Sequence, residues 1–338
     1  MSRPNDLDLD GFVFRGLHPH VAMGTASDRY AGWIGQIYSV DRYSGKIKSR
    51  TKKVGGKSFI EEVLPVESVE EYFQHFRILE VDYTFYRLLL DKDGEATQNF
   101  HVLKSYREHM ASGDHVLLKV PQAIFAQKIR SGKSYVENPE YLNPDVFTRS
   151  FYEPAVELLG EKLKGFVFEQ EYQRKGDREP VERLVEDLDR FFTAVPPDER
   201  YHVELRTESY LVRPVFEVLE KHGIGQVLSH WTWLPPLEKQ FAEAGHRFYN
   251  SGRQAIIRLM TPIGTRYEDA YARAHPFDRL VEGMLQPRMV DETAKLMRRG
   301  IKGGVEMNVI INNRAGGNGP LIAQRIAGRF LAESPLEA

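Results

Sequence analysis

Along the segment at 76–90, FRILEVDYTFYRLLL, apolar and polar positions first alternate and then give way to an aromatic, polar run. Alternation over residues 78–82 predicts a strand, with Leu79 and Val81 on one face and Ile78, Glu80 and Asp82 on the other. Carboxylates at the far end of an apolar strand are unusual in an element that only fills a core. Seven more strand candidates follow this plan, at 20–24, 115–120, 165–170, 201–206, 226–230, 255–260 and 306–312. Helical periodicity falls between them, at 30–38, 99–110, 145–159, 178–192, 210–222, 238–244, 288–299 and 320–330. Another helix is predicted at 68–76, where Ser68 and Glu71 have capping-box spacing.

Eight strands alternating with helices predict a parallel sheet, and closure of eight predicts a TIM-like (β/α)8 barrel with insertions. An open doubly wound sheet is the alternative. It is weakened because Gly24-Thr25-Ala26-Ser27 after the first strand has neither dinucleotide-binding nor P-loop spacing. Residues 1–16 read as a polar lead-in and 17–335 as a single barrel domain. Two insertions stand out, a basic loop at 41–57 and a long loop at 121–144.

Composition narrows the classes. The 338 residues are 41% hydrophobic and 11% aromatic, enough for a large core. A formal charge of -2 argues against a protein that coats nucleic acid with its whole surface. There are no cysteines, which removes disulfides, thiolate metal sites and a thiol nucleophile. No apolar run has the length of a membrane span, and the N-terminus lacks a signal-peptide core. The expectation is a cytoplasmic protein without membrane contact.

Barrels place chemistry at the C-terminal ends of their strands. In 201–206 parity separates Val203 and Leu205 from His202, Glu204 and Arg206, and the polar set is expected to face inward. The same rule groups Lys119 with Leu117, Gln170 with Phe168, Arg258 with Ile256, and Asn312 with Ile310, while His230 closes its strand. Seven strands thereby bring a charged or polar side chain to one mouth. Such groups must pair with each other as a plug, or meet water or a ligand. Convergence in a concavity favours a ligand pocket for the ring as a whole.

Several of these residues lie in stretches that resemble the YecE-like family (domain of unknown function 72). The matching pieces are Gly24-Thr25 with Trp33 and Tyr38, then Glu80-Val81-Asp82-Tyr83-Thr84-Phe85-Tyr86-Arg87. The latter is similar to the family's Val-Glu-Ile-Asn-Ser-Thr-Phe-Tyr-Arg signature, with Asp82 where Asn is usual. Lys119 before Pro121, residues 168–170, Glu204-Leu205-Arg206 with Ser209, Arg258-Leu259, and Asn312-Asn313 with Gly316, Gly317 and Pro320 complete the resemblance. It implies a TIM-like barrel and carries no assigned reaction. Met260 stands where the family tends to have His, and Tyr210 where Trp is usual.

The candidate chemistry is acid–base work on a small anionic ligand such as a phosphate, carboxylate or sugar-like compound. Glu80, Glu204 and Lys119 are the catalytic candidates. Arg206, Arg258, Gln170, His230, Asn312 and Tyr86 are the substrate-binding candidates. A hydrolase, isomerase or lyase fits this set. No cofactor is indicated; a divalent metal on Glu80, Glu204, His230 and Asn312 is a less favoured option, because no close-spaced ligand motif occurs. The alternative class is a nucleic-acid binding or phosphodiester-handling protein. Residues 42–57 hold seven basic side chains, including Lys48, Arg50, Lys52 and Lys53. Trp33, Tyr83, Tyr86, Trp231 and Trp233 could stack on bases. A third option is a barrel that binds its ligand without turning it over. The glycine-rich run 313–319, just before the last helix, is either a phosphate cradle or a tight turn.

Overall fold

A computed structural model describes residues 5–131 and 134–333. Its strands in chain order are β1 (Val21–Ala26), β2 (Lys48–Val54), β3 (Lys57–Val63), β4 (Ile78–Val81), β5 (His115–Lys119), β6 (Lys128–Ser131), β7 (Ser134–Glu137), β8 (Leu163–Gln170), β9 (Tyr201–Leu205), β10 (Gly225–His230), β11 (Gln254–Leu259) and β12 (Glu306–Ile311). The eight strands expected from alternation close into one parallel barrel in the order β1-β12-β11-β10-β9-β8-β5-β4. The remaining four form two antiparallel hairpins, β2-β3 and β6-β7.

Alternation within each strand builds two cores. Inside the barrel, Ala22, Ile78, Leu117, Val167, Val227, Ile256 and Ile310 fill one apolar layer. The opposite faces, with Leu79, Val81, Phe168, Val203 and Leu228, join the larger core beneath the helices. The interior of β1 is lined by small residues, and Gly24 is required there. A Cβ at that position would lie 1.8 Å from the backbone oxygen of Ile78, so the close pairing of β1 with β4 needs glycine.

Helix Val181–Ala194 shows how the outer layer forms. Leu184, Leu188 and Phe191 recur at helical spacing and are buried, which sets one face against the sheet. Helices Pro287–Lys302 and Gly319–Leu331 carry proline in the first turn, where the missing N–H costs nothing.

Four local expectations are corrected. The segment 30–38 is not a helix: it holds a 3-10 turn, Ala31–Trp33, because its aromatic rings pack on one another. The capping box is not formed, since Glu71 accepts hydrogen bonds from the N–H and hydroxyl of Ser39 instead. The basic stretch 41–57 is no simple loop, as Lys48–Val54 pairs with Lys57–Val63. The 121–144 excursion likewise contains helix Gln122–Phe125 and the β6-β7 hairpin. Helix Tyr267–Ala274 was not anticipated.

The described part of the N-terminal lead-in is anchored. Phe14 is buried in the main core, and the buried Arg15 guanidinium meets Asp114 at 3.0 Å. Residues 1–4, 132–133 and 334–335 of the two proposed divisions lie outside the described residues.

Candidate functional site

Five of the predicted residues meet in the barrel mouth, joined by one the sequence reading passed over. The fully buried Arg258 grips Glu80 with two parallel hydrogen bonds, Nε to Oε2 at 2.7 Å and Nη2 to Oε1 at 2.6 Å. Its Nη1 reaches Glu204 and also Glu169 at 3.2 Å. Glu169 in turn binds Lys119 at 2.6 Å and Arg206 at 2.7 Å. Arg206 closes the circuit on Glu204 at 3.3 Å. Three carboxylates (Glu80, Glu169, Glu204) and three cations (Lys119, Arg206, Arg258) therefore balance in a nearly dry interior.

Burial works against the ionised form of Glu169, but Arg206, Lys119 and Arg258 more than offset it. They hold its carboxyl well below the usual range. Burial also disfavours the charge on Arg258, and the surrounding glutamates outweigh that, raising its pKa further. Rings cover two cations from outside: the Lys119 ammonium lies 4.0 Å from the Phe85 centroid and the Arg206 guanidinium 4.3 Å from that of Trp231.

Gln170 and His230 do not join this group. Parity pairs Gln170 with Phe168 correctly, but Phe168 packs against Phe125, Phe147 and Phe191 in the helix layer. The inward position is Glu169, so the assumption that the last polar residue faces inward fails on β8. On β10 the interior position is held by Val227, and His230 follows Leu228 outward, where its Nδ1 contacts the backbone oxygen of Thr261 at 2.8 Å. Asn312 accepts a hydrogen bond from the Arg314 N–H at 3.0 Å and caps a 3-10 turn. Tyr86 is 72% exposed and lines an adjoining cavity, to whose wall Glu80 also belongs.

That cavity, of about 630 Å³, opens beside the C-terminal ends of β1 and β4 and is walled by the β2-β3 hairpin. Asp28, Arg29, Tyr30, Asp82, Tyr83 and Tyr86 are among its lining residues. Asp28 is buried, with Oδ1 accepting from the Tyr106 hydroxyl at 2.8 Å and Oδ2 lacking a partner among the described residues. Burial pushes its carboxyl up to about 6; Arg29 and the Tyr106 hydroxyl pull the other way, and Asp82 adds to the rise. The Arg29 guanidinium makes no salt bridge among the described residues and lies 5.9 Å from the Tyr106 ring.

The hairpin wall is pinned at Glu61, which binds Arg50 at 2.9 Å and Lys52 at 3.2 Å and accepts from the Tyr271 hydroxyl at 2.5 Å.

A family profile with the description "Protein of unknown function DUF72" matches residues 49–336. The chain belongs to the DUF72 family. Solved structures agree on the fold. A DUF72 family protein from Enterococcus faecalis V583 is 14% identical with a TM-score of 0.54, matched over 94% of this chain and 99% of its own. Another, from Thermotoga maritima MSB8, is 17% identical with a TM-score of 0.51, over 93% and 99% respectively. No curated protein matches the chain significantly.

Within this DUF72 barrel, two further candidates take definite places. The 313–319 run is a capped turn: Asn313 Oδ1 accepts from the Gly319 N–H at 2.7 Å, and Asn318 caps Leu321 at 2.9 Å. Those side chains already satisfy amides that a phosphate would need. Among the described residues no three His, Asp or Glu side chains are grouped as metal ligands, and Glu80 and Glu204 are engaged by Arg258. No helix among them is long and apolar enough to cross a membrane.

Glu169 was missed because an inward carboxylate beside a terminal glutamine leaves no distinctive pattern. Asp28 carried a weak signal, two residues beyond the end of β1, where barrel chemistry tends to sit.

Proposed function

We propose that this DUF72 protein binds a small, negatively charged polar ligand in the cavity beside β1 and β4, and that Asp28 exchanges a proton with it. The observation that carries this reading is the Asp28 carboxyl, buried, half-satisfied and raised to about 6 in the wall of a 630 Å³ cavity. A group so poised is partly protonated near neutral pH and suits general acid–base work. Arg29, without a salt bridge of its own, supplies the charge for a phosphate or carboxylate. Tyr30, Tyr83 and Tyr86 offer rings and hydroxyls to the rest of a sugar-like ligand.

Glu80, Glu204 and Lys119, the first candidates for catalysis, act in this reading as the frame beneath the cavity. Each is held by ion pairs that proton transfer would break. The nucleic-acid alternative is less well supported, because Arg50 and Lys52 both pair with Glu61, which offsets one of their two charges and turns them toward the hairpin's own carboxylate.

The test is a thermal-shift screen with phosphorylated sugars, sugar acids and small carboxylates, since a ligand of the folded state raises Tm. A hit should vanish in Arg29→Met. In Asp28→Asn it should bind without the pH dependence near 6 expected of the unsubstituted protein. A hit indifferent to both changes would refute the assignment.

A further inference from the structure

A second aromatic feature lies on the same C-terminal face, away from the cavity. Tyr172 follows β8 and Trp233 follows β10. Their rings stack with centroids 5.7 Å apart and planes 29° from parallel. Both stay open to solvent, Tyr172 at 40% and Trp233 at 43%. Two large rings, brought from separate loops and held face to face in water, form a ready-made apolar plate. Two residues before Trp233, Trp231 is covered by Arg206, and its indole N–H has no partner among the described residues.

Local charge distinguishes the ligands such a plate would take. The loop bearing Tyr172 carries Glu171, Asp177 and Glu179 against Arg174, Lys175 and Arg178, three of each sign. The stretch 231–236, WTWLPP, has no charge. Two flanking cations are engaged: Arg206 with Glu169 and Glu204, and Lys239 with Glu208 at 3.1 Å and Glu243 at 3.6 Å. A phosphodiester chain needs surplus positive charge, and none is gathered here. An uncharged sugar ring needs only a flat apolar surface for its C–H face and polar groups around the edge for its hydroxyls. We infer that Tyr172 and Trp233 form a stacking subsite for a neutral oligosaccharide. This inference does not depend on the role of Asp28.

The protein carries its own reporter. Of three tryptophans Trp33 is fully buried and Trp231 is half-buried under Arg206, so Trp233, the most exposed, is the one best placed to sense a ligand, and Trp233→Ala separates its signal from that of Trp231. Tryptophan emission is titrated with cellohexaose, xylohexaose, mannohexaose and an oligothymidylate. The expected result is a saturable change with at least one hexasaccharide that persists between about 50 and about 500 mM NaCl. Tyr172→Ala should weaken it by about three- to tenfold, the worth of one aromatic contact. Trp233→Ala, followed by ligand-observed NMR because the reporter is gone, should weaken it at least as much. Arg29→Met should leave it unchanged, which separates this subsite from the cavity. Three outcomes would overturn the inference: no saturable change with any saccharide, binding that survives both aromatic substitutions, or a salt-sensitive response to the oligothymidylate alone.

Discussion

Replacing Arg258 with methionine tests whether the barrel mouth is held by charge balance. The side chain is fully buried and bonds Glu80 twice while reaching Glu169 and Glu204. Its removal turns three carboxylates and three cations into three and two, leaving one buried negative charge uncompensated. Breaking a buried pair from one side costs about 3–5 kcal/mol. Unfolding entropy scales with length, at about 0.7 kcal/mol/K for 338 residues, so a loss of about 4 kcal/mol lowers Tm by about 6 °C. Urea unfolding followed by circular dichroism reads the free energy, and a scan reads Tm. The decisive variant is Arg258→Met with Glu80→Met. It restores the balance at two and two, so it should recover about half or more of the loss. A single substitution costing under about 1 kcal/mol, or a double variant as unstable as the sum of its parts, would refute charge balance as the organising principle.

Two further outcomes follow from named contacts. Burial depresses the His202 imidazole to about 4, so the folded state takes up a proton less readily than the unfolded one. Stability from this group is complete above the ordinary histidine range near 6.5 and is lost as pH falls towards 4, by up to about 3 kcal/mol. His202→Gln should flatten the stability–pH curve in that window, and an unchanged slope would count against the assignment. At the hairpin, Tyr271→Phe removes the hydroxyl that donates to buried Glu61. A hydrogen bond to a charged group is worth about 1.5–3 kcal/mol. Amide exchange in β2 and β3 should accelerate by about tenfold or more while the barrel strands stay protected; uniform acceleration would show that the contact is not local.

The barrel was legible in the sequence because strand alternation is a local property. Each of the eight segments names its own two faces, and eight strands separated by helices leave little choice but closure. The same rule identified Glu80, Lys119, Glu204, Arg206 and Arg258, whose apolar neighbours place them on interior faces. It failed where both faces of a strand end in a polar side chain. On β8, Glu169 and Gln170 are equivalent to parity, and only the phenylalanine cluster around Phe168 decides which turns inward. The β2-β3 hairpin was hidden because lysine- and arginine-rich strands bury little. Its docking depends on Tyr271 and His275, more than 200 residues away in sequence. Asp28 gave only the weak signal of its place beyond β1, since its pKa is raised by burial and by Asp82 against the pull of Arg29 and Tyr106, a balance set by packing distant in sequence. Periodicity therefore determined the architecture, whereas long-range packing decided which carboxylate is neutralised in the frame and which is left poised at a cavity.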